Sequence, residues 1–551
     1  MEINIIVGGK AGQGIAKFGA TVTRIFAHLG YYVFNYRDYP SLIQGGHNYN
    51  SIRISDEPIH SHEEENIDVL VALDSNTFRK HEHKLKEGAT IICDKSIEKD
   101  APSNFNLICV DALKKIKELN APKIMENTVL LGALLKLFSI DLKDIEDVIN
   151  TELSKFYDLQ IKALQFGYES SKSLVKVEKI GEPKEILSGS EAVGEGAIHA
   201  GVELYIAYPM TPATPVLHYL AARQSDELKV LQLENEIACA QAALSASYAG
   251  ALSMTGTSGG GFALMTETLS EQGMMEVPLV VYLAQRTGPS TGVPTYTEQA
   301  DLKFALHAGH GEFPRVVVAP GDPQEAMERT VEAFYLSQKY NVLSIIISDK
   351  HLGESEFSFD KIEKPKLKVE KNITHETHDG IFPYYKITKN GVSPRAIPGE
   401  NIVKANSYEH DELGITTEEA DMIKKMKDKR LVKADSLAKE VEKMNPVSVY
   451  GNGDILLVGW GSTKGAILDA MREFDNVKFL QISYIYPFPK KAVLDELKKA
   501  KDVILIENNS TGMLGDVIAE QTGFIIDKKI LRYDARSFTP SFIISHLKRL
   551  I

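Results

Sequence analysis

Two polar side chains in the middle of the chain have the residue types and settings to bind a ligand that carries a carboxylate. Thr211 lies in the segment Tyr208 to Pro215, whose three prolines fix the backbone and hold its hydroxyl ready for a hydrogen bond. Arg286 follows an apolar run and precedes Gly288 to Gly292, where a guanidinium can hold a carboxylate through two hydrogen bonds. A lone arginine is as often a salt-bridge partner, so the residues alone leave both roles open.

A carboxylate at the start of a helix is the third candidate. Glu236 opens the Ala-rich stretch Ile237 to Gly250, which the residue pattern predicts to be helical. An acidic side chain at this position ordinarily stabilises the helix through its dipole. The residues alone therefore favour a structural role for Glu236.

Two further glycine-rich segments follow predicted strands. Gly8 to Gly14 separates an apolar strand from a helix, an arrangement that can bind an anion at the positive end of the helix. Its spacing fits neither the dinucleotide fingerprint nor the phosphate-binding loop of nucleotide-hydrolysing enzymes. A tight turn with close helix–strand packing is therefore favoured, with a bound nucleotide as the alternative. Thr257 to Gly261 is the second segment of this kind.

The elements that carry these segments alternate between strands and helices, which predicts an α/β protein with several parallel-sheet domains. Open parallel sheets bind their ligands at the carboxyl ends of the strands, where Thr211 and Arg286 are expected. Changes of pattern divide the 551 residues into four parts. They are a first unit at 1–175, a second unit at 187–350, an irregular connecting segment at 351–446 and a last unit at 447–551.

The connecting segment contains one predicted helix. Thr416 and Glu419 have the spacing of a capping box, which predicts that the helix begins there. The basic stretch that follows has a single apolar stripe, formed by Ala434, Leu437, Val441 and Met444. We expect the charged side chains of this helix to face solvent.

Composition excludes several classes of protein. With 62 basic and 75 acidic residues the net charge is −13, which is unfavourable for binding nucleic acid. The apolar runs are far shorter than the ~20 residues of a membrane helix, and the amino terminus does not resemble a signal peptide. The three cysteines, Cys93, Cys109 and Cys239, cannot supply the four thiolates of a cubane iron–sulfur cluster. We expect a cytoplasmic protein that binds neither nucleic acid nor membrane and holds no metal by itself.

Taken together, the motifs resemble those of 2-oxoacid:ferredoxin oxidoreductases. The second unit is similar to the family's α subunit in Tyr208-Pro-Met-Thr-Pro, Glu236, Thr257-Ser-Gly-Gly-Gly-Phe262 and Gln285-Arg-x-Gly-Pro-Ser-Thr-Gly292. The first unit is similar to the γ subunit in Gly8-Gly-x-Ala-Gly-Gln-Gly14 and Gln44-Gly-Gly-His-Asn48. Later matches are Ser393-Pro-Arg-Ala-Ile-Pro-Gly399, Tyr408-Glu-His-Asp-Glu-Leu-Gly414, Tyr486-Pro-Phe-Pro489 and Glu507-Asn-Asn-x-x-Gly512. The resemblance covers nearly the whole chain and indicates a fused γα subunit.

This resemblance implies a heteromeric enzyme that uses thiamine diphosphate to decarboxylate a 2-oxoacid oxidatively, transfers the acyl group to coenzyme A and reduces ferredoxin. In the family a β subunit holds the diphosphate, its Mg²⁺ and a [4Fe-4S] cluster. This chain is then inactive alone and forms a heterodimer or a dimer of heterodimers. The second unit would have the pyrimidine-type thiamine diphosphate fold, and the last unit resembles the carboxy-terminal domain of transketolase. Fused γα chains favour 2-oxoglutarate, ahead of pyruvate and branched-chain 2-oxoacids.

The resemblance also implies roles for five residues. Glu236 corresponds to the catalytic glutamate that hydrogen-bonds N1′ of the aminopyrimidine and so assists removal of the C2 proton. Thr211 and Arg286 correspond to residues that bind the carboxylate and carbonyl of the 2-oxoacid. Thr291 is expected in the same pocket, and Pro209 is expected to pack near the cofactor.

Two other functions compete with this one. A different thiamine-dependent enzyme, such as a 2-oxoacid dehydrogenase or a transketolase-like subunit, would not explain the γ-like first unit or the segment Ser393 to Gly399. A nucleotide-binding regulatory or scaffold protein would use the glycine loops to bind an adenine nucleotide. A neighbouring gene for a small subunit with four cysteines would favour the ferredoxin-dependent enzyme.

Overall fold

The computed structural model describes residues 1–42 and 45–551, which form an α/β protein with three sheets. The α/β class expected from the alternation of strands and helices is confirmed. The core consists mainly of buried apolar side chains from the strands and from the inner faces of the helices.

The amino-terminal region begins with a buried apolar strand and an amphipathic helix. The helix begins at Ile15, as the apolar pattern predicts, and buries Phe18, Val22 and Ile25. The strands of this region are β1 (Glu2–Gly9), β2 (Tyr32–Asp38), β3 (Asn48–Ser55), β4 (Ile67–Ala72), β5 (Leu85–Asp94), β6 (Asn106–Val110) and β7 (Glu185–Ser188). The helices are α1 (Ile15–His28), α2 (Ser75–His81), α3 (Ala112–Glu118), α4 (Glu126–Leu137), α5 (Glu146–Glu152), α6 (Tyr157–Glu169) and α7 (Gly189–His199).

The middle region repeats the order strand, loop, helix. Its strands are short, and the central strands β11 and β13 are fully buried, as expected for a parallel sheet covered on both faces. They are β8 (Leu204–Ala207), β9 (Lys229–Gln232), β10 (Ser253–Thr257), β11 (Leu279–Gln285), β12 (Arg315–Val318), β13 (Leu343–Asp349) and β14 (Glu356–Phe359). The helices are α8 (Thr214–Ala221), α9 (Glu236–Tyr248), α10 (Gly259–Met275), α11 (Leu302–His307), α12 (Pro323–Tyr340) and α13 (Lys350–Glu354).

The remainder of the chain contains one long helix and a further α/β unit. The strands are β15 (Val447–Gly451), β16 (Ile455–Gly459), β17 (Val477–Ile482), β18 (Tyr484–Tyr486), β19 (Asp502–Glu507) and β20 (Lys528–Leu531). The helices are α14 (Ala420–Val441), α15 (Thr463–Met471), α16 (Lys490–Lys499), α17 (Met513–Thr522) and α18 (Pro540–Leu550).

The first sheet is mixed, in the order β6-β5-β4-β1-β3-β2-β14-β7. Strands β1 and β4 pair in parallel, whereas β3 pairs antiparallel with both β1 and β2. This differs from the parallel pairing expected here. Strands β2 and β3 carry the polar side chains of Asn35 and Asn50 at positions that the sheet buries. Those side chains are buried and paired, since Asn50 Nδ2 donates to Asn35 Oδ1 at 2.8 Å.

The connecting segment completes the first sheet. Strand β14 pairs antiparallel with both β2 and β7. Side chains reinforce the pairing: Asn35 Nδ2 donates to Glu356 Oε2 at 2.7 Å, and Arg37 Nη2 lies 2.8 Å from Glu356 Oε1. Val33 N donates to Ser358 Oγ at 2.6 Å. The edge of β2 is thus covered by chain from the middle of the sequence.

The second sheet has the order β18-β12-β13-β11-β10-β8-β9. Strands β9, β8, β10, β11, β13 and β12 are parallel to their neighbours, so their carboxyl ends lie at one edge. Short loops leave that edge and lead into α8, α9 and α10. This edge is where the candidate residues of the second unit are expected.

The last unit forms the third sheet, in the order β15-β17-β16-β19-β20, and joins the second unit closely. Its strand β18 pairs antiparallel with β12 of the second sheet. One buried apolar cluster contains Leu283 and Phe262 of the second unit together with Trp460 and Leu505 of the last unit. The two units therefore share part of their core.

Helix α14 departs from the prediction in two ways. It begins at Ala420 after Glu419, and the capping box predicted for Thr416 and Glu419 is wrong. Thr416 instead accepts a hydrogen bond from Asn406 Nδ2 at 2.8 Å, which holds it in the preceding turn. The expectation of a solvated charged face is also wrong in part, because Lys429 and Lys433 are buried against Glu276.

No helix within residues 1–42 and 45–551 is both long and apolar enough to cross a membrane. The boundaries 1–175, 187–350, 351–446 and 447–551 stay predictions.

Candidate active site

The carboxyl edge of the second sheet gathers the segments that the sequence singled out. Tyr208 to Ala213 follows β8, Glu236 follows β9, Ser258 follows β10 and Arg286 follows β11. Because these strands run in parallel register, the four segments emerge side by side. The sheet topology therefore explains why residues far apart in the sequence can act on one ligand.

Glu236 is the first residue of α9, and its side chain is turned inward. Asn235 caps the helix, with its side-chain oxygen accepting from Ala238 N at 2.9 Å. This leaves the Glu236 carboxylate free from capping. Glu236 is only 4% exposed, and its buried Oε1 has no hydrogen-bond partner among the described residues. A buried acceptor without a partner is costly, so a donor that binds here would be strongly favoured.

The glycines at the start of α10 make room for that carboxylate. A methyl group on Gly261 would lie 2.6 Å from Glu236 Cγ and 2.7 Å from its Oε1, and would overlap the hydroxyl of Thr257. Thr257 Oγ1 lies 3.8 Å from Met210 Sδ, which connects this group to the proline-rich segment. The structure thus brings Glu236, Thr257, Gly261 and Met210 together.

Thr211 and Arg286 are also adjacent. Arg286 Nη1 donates to the main-chain oxygen of Thr211 at 2.8 Å, which fixes the guanidinium beside the proline-rich segment. Arg286 Nε is buried and has no hydrogen-bond partner in the described part of the chain. Burial lowers the pKa of Arg286, while Asp301 acts in the opposite direction. The guanidinium therefore retains donors for an anionic ligand.

Asp301 is a further charged group at this site that the sequence motifs did not reveal. A methyl group on Gly259 would lie 2.5 Å from Asp301 Oδ2, so the carboxylate faces the start of α10. Burial raises the pKa of Asp301 from 3.8 to about 6, although Arg286 opposes the rise. The only signal in the sequence was an acidic residue just before a short helix, which ordinarily indicates a cap.

The other two predicted residues have less defined surroundings. Pro209 is partly buried, as is Met210, whereas Tyr208 is exposed. Thr291 is exposed near the tip of the 286–301 loop, and no described residue hydrogen-bonds its side chain. The structure therefore brings Thr211, Arg286 and Glu236 to one edge, and does not bring Thr291 into contact with them.

Three large apolar side chains are exposed on the elements that lie next to Glu236. Ile237 is 52% exposed, Leu264 is 50% exposed and Leu231 is 46% exposed. They belong to the start of α9, the first turns of α10 and the end of β9, and these elements border the buried carboxylate. Clustered exposed apolar residues are typical of a surface that another protein covers.

In the first unit, the side chain of Gln13 holds the glycine loop by hydrogen bonds. Lys10 N donates to Gln13 Oε1 at 2.5 Å, and Gln13 Nε2 donates to the main-chain oxygen of Leu73 at 3.1 Å. A methyl group on Gly14 would lie 2.6 Å from Asn127 Nδ2. These contacts favour the tight turn over the nucleotide site. Gln44 of the second γ-like motif lies outside the described residues.

Two cysteines that looked unrelated in the sequence are neighbours. Cys93 on β5 and Cys109 on β6 occupy directly paired positions, with their Sγ atoms 3.3 Å apart. Cys93, Cys109 and Cys239 are all free thiols. Spacing in the sequence cannot reveal this pair, because parallel strands pair residues separated by a whole crossover.

Two family models match the chain. The model described as "Pyruvate flavodoxin/ferredoxin oxidoreductase, thiamine diP-bdg" matches residues 195–429. The model described as "Pyruvate ferredoxin/flavodoxin oxidoreductase" matches residues 4–170. The first match includes Thr211, Glu236 and Arg286.

Characterised relatives extend this similarity to the whole chain. The 2-oxoacid:ferredoxin oxidoreductase subunit alpha of Sulfolobus sp is 31% identical over 98% of this chain and 95% of the relative. The 2-oxoglutarate synthase subunit KorA of Archaeoglobus fulgidus is 31% identical over 61% of this chain and 90% of the relative. The solved 2-oxoglutarate:ferredoxin oxidoreductase from Magnetococcus marinus, with 2-oxoglutarate, coenzyme A and succinyl-CoA bound, is 30% identical. It superposes with a TM-score of 0.89 over 100% of this chain and 99% of that one.

Proposed function

Because this chain belongs to the family of 2-oxoacid:ferredoxin oxidoreductase α subunits, we propose that it performs the oxidative decarboxylation of a 2-oxoacid together with a β subunit. The acyl group is transferred to coenzyme A, and the electrons pass to ferredoxin. The substrate is 2-oxoglutarate, since the similar enzyme from Magnetococcus marinus was solved with 2-oxoglutarate, coenzyme A and succinyl-CoA. The observation that carries the proposal is the buried, unpartnered carboxylate of Glu236 beside Gly261.

Glu236 fits an aminopyrimidine. Its Oε1 is an acceptor without a partner, and the absent side chain of Gly261 leaves room beside it. Thiamine diphosphate, when bound, supplies a nucleophilic carbon and an electron sink for decarboxylation. Glu236 holds a proton at N1′ of the pyrimidine, and Pro209 packs near the cofactor in the rigid proline-rich segment.

Arg286 and Thr211 bind the substrate. The unpaired Nε of Arg286 and its remaining donors hold the carboxylate of the 2-oxoacid. The Thr211 hydroxyl donates to the carbonyl oxygen. Thr291 is assigned to the same pocket on the family resemblance alone. Fixing the carboxylate in one orientation favours its departure as CO₂.

The β subunit covers the apolar surface around Glu236. Ile237, Leu264 and Leu231 are the exposed apolar residues that support this contact. The β subunit supplies the diphosphate site with its Mg²⁺ and the [4Fe-4S] cluster, because the three cysteines of this chain are too few for one. The active assembly is a heterodimer or a dimer of heterodimers. It is cytoplasmic, where thiols as close as those of Cys93 and Cys109 stay reduced.

Glu236→Gln tests the function. Produced together with its β subunit, the variant is expected to lose about 10²- to 10⁴-fold in 2-oxoacid-dependent viologen reduction, the usual contribution of a positioned acid–base group. Glu234→Gln, an exposed position two residues earlier, is the matched control and retains activity. Wild-type turnover by an assembled Glu236→Gln complex would exclude the proposed role.

A further inference from the structure

Gln299 ties the 286–301 loop to the last unit through both its main chain and its side chain. Its main-chain N donates to Asn508 O at 2.7 Å, and its main-chain oxygen accepts from Asn509 Nδ2 at 2.9 Å. Its Oε1 accepts from Asn508 N at 2.9 Å, and its Nε2 donates to the main-chain oxygen of Trp460 at 2.8 Å. The side chain is fully buried. Four hydrogen bonds on one buried residue fix its position closely.

The residues on both sides of Arg286 are bonded to the same stretch of the loop. Asp301 N donates to Gln285 Oε1 at 2.9 Å, and Thr287 Oγ1 donates to the main-chain oxygen of Thr297 at 3.3 Å. Gln299 lies between Thr297 and Asp301. A displacement of Gln299 is therefore transmitted to Gln285 and Thr287, and with them to the guanidinium between them.

The last unit presents a rigid partner to Gln299. Asn509 Oδ1 accepts from Gly512 N at 2.7 Å, which closes a tight turn and aims the amide nitrogen at the loop. Glu507 accepts from Trp460 Nε1 and from Leu514 N, both at 3.0 Å. These bonds hold the end of β19, the start of α17 and Trp460 in one arrangement, which explains the structural need for the Glu507-Asn-Asn segment.

We propose that Gln299, Asn508 and Asn509 are positioning residues that set the affinity for the 2-oxoacid by holding Arg286 in its binding orientation. The last unit thereby controls substrate binding without touching the substrate. This inference rests on the proposed function, since it needs Arg286 to bind the substrate carboxylate.

Two variants break the contact from opposite sides. Gln299→Met removes both side-chain hydrogen bonds at similar volume. Asn509→Ser keeps an oxygen for the turn with Gly512 and removes the side-chain amide nitrogen that donates to Gln299. The control is Asp516→Asn at the same interface. It breaks an exposed ion pair between α17 and α11, in which Asp516 Oδ2 lies 2.5 Å from Lys303 Nζ.

Steady-state viologen reduction by the complex with its β subunit is measured while the 2-oxoacid and coenzyme A are varied separately. Both variants are expected to raise KM for the 2-oxoacid about tenfold, which corresponds to about 1.4 kcal/mol. The kcat and the KM for coenzyme A stay within about twofold of wild type. The thermal midpoint of the complex stays within a few degrees of wild type, and Asp516→Asn behaves in the same way.

The changes in KM, kcat and melting temperature distinguish a positioning role of Gln299 and Asn509 from a merely structural role. A merely structural role would lower kcat or the melting temperature and leave KM for the 2-oxoacid unchanged, and that outcome would overturn the inference alone. If Gln299→Met does not assemble, Asn509→Ser decides the question. A wild-type complex that reduces no viologen with any 2-oxoacid would overturn the proposed function and this inference together.

Discussion

Gly261→Ala is the sharpest steric test of the site. The added methyl group would lie 2.6 Å from Glu236 Cγ and 2.7 Å from its Oε1, far inside van der Waals contact, and would overlap Thr257. Thr257 is fully buried on a central strand and cannot yield easily. The Glu236 side chain is the group that must move.

The cost of that movement follows from the geometry. Forcing a methyl group into a packed site costs ~1–3 kcal/mol of stability. Displacing the carboxylate removes its acid–base contribution, which is worth about 10²- to 10⁴-fold in rate, or ~2.7–5.4 kcal/mol. Activity is therefore expected to fall much further than stability does.

The matched control is one residue away. A methyl group on Gly260 meets no atom of the described residues within 4 Å, so Gly260→Ala leaves the Glu236 side chain in place and is expected to retain far more activity than Gly261→Ala. It also stabilises α10 by up to ~1 kcal/mol. Both variants are purified with the β subunit and assayed for viologen reduction at saturating 2-oxoacid and coenzyme A. Equal activity of the Gly261→Ala and Gly260→Ala complexes would refute the placement of Glu236 in the chemistry.

Three further predictions concern charged side chains. Arg286→Ala raises KM for the 2-oxoacid about 10- to 100-fold with a smaller change in kcat, because it removes binding from ground and transition states alike. An unchanged KM in steady-state assays would count against a substrate-binding role for Arg286. Glu276→Gln leaves Lys429 and Lys433 buried without a counter-ion and lowers the free energy of unfolding, measured with denaturant, by ~3–5 kcal/mol. Asp428→Asn, which breaks an exposed ion pair with Lys424, leaves that free energy unchanged. Burial raises the pKa of Glu507 from 4.5 to about 7, so its contribution to stability is present below pH 4.5 and is lost as the pH rises through about 7. Glu507→Gln should flatten the melting temperature across this window, and an unchanged pH profile would contradict the assignment.

Local patterns were sufficient for much of the fold. The strand Leu204–Ala207 and the start of α1 at Ile15 follow from apolar runs and glycine punctuation, and both are present. The family resemblance inferred from spaced motifs is confirmed by relatives over nearly the full chain. The roles of Glu236, Thr211 and Arg286 stay proposals, although the structure brings these residues to one edge of the sheet.

The features that were missed depend on distant partners. The antiparallel pairing of β2 with β3 is supported by the hydrogen bond between Asn50 and Asn35, which no local pattern reveals. The basic face of α14 looks solvated until Glu276 is found beneath it. Gln299 has no local pattern at all, because its partners lie some 160 to 210 residues further along the chain. In each case a favourable contact in three dimensions overrides the local preference.

The pairing of β14 with β2 bears on how such a chain can be divided. Residues 1–175 alone would leave the edge of β2 unpaired, with Asn35, Arg37 and the amide of Val33 deprived of Glu356 and Ser358. An open strand edge is a template for pairing with another chain. A gene cut within the stretch 175–184 would therefore yield two polypeptides that recognise each other through a missing strand. In the continuous chain the two pieces are present in equal number because they are covalently joined. The pairing of β14 with β2 holds them together.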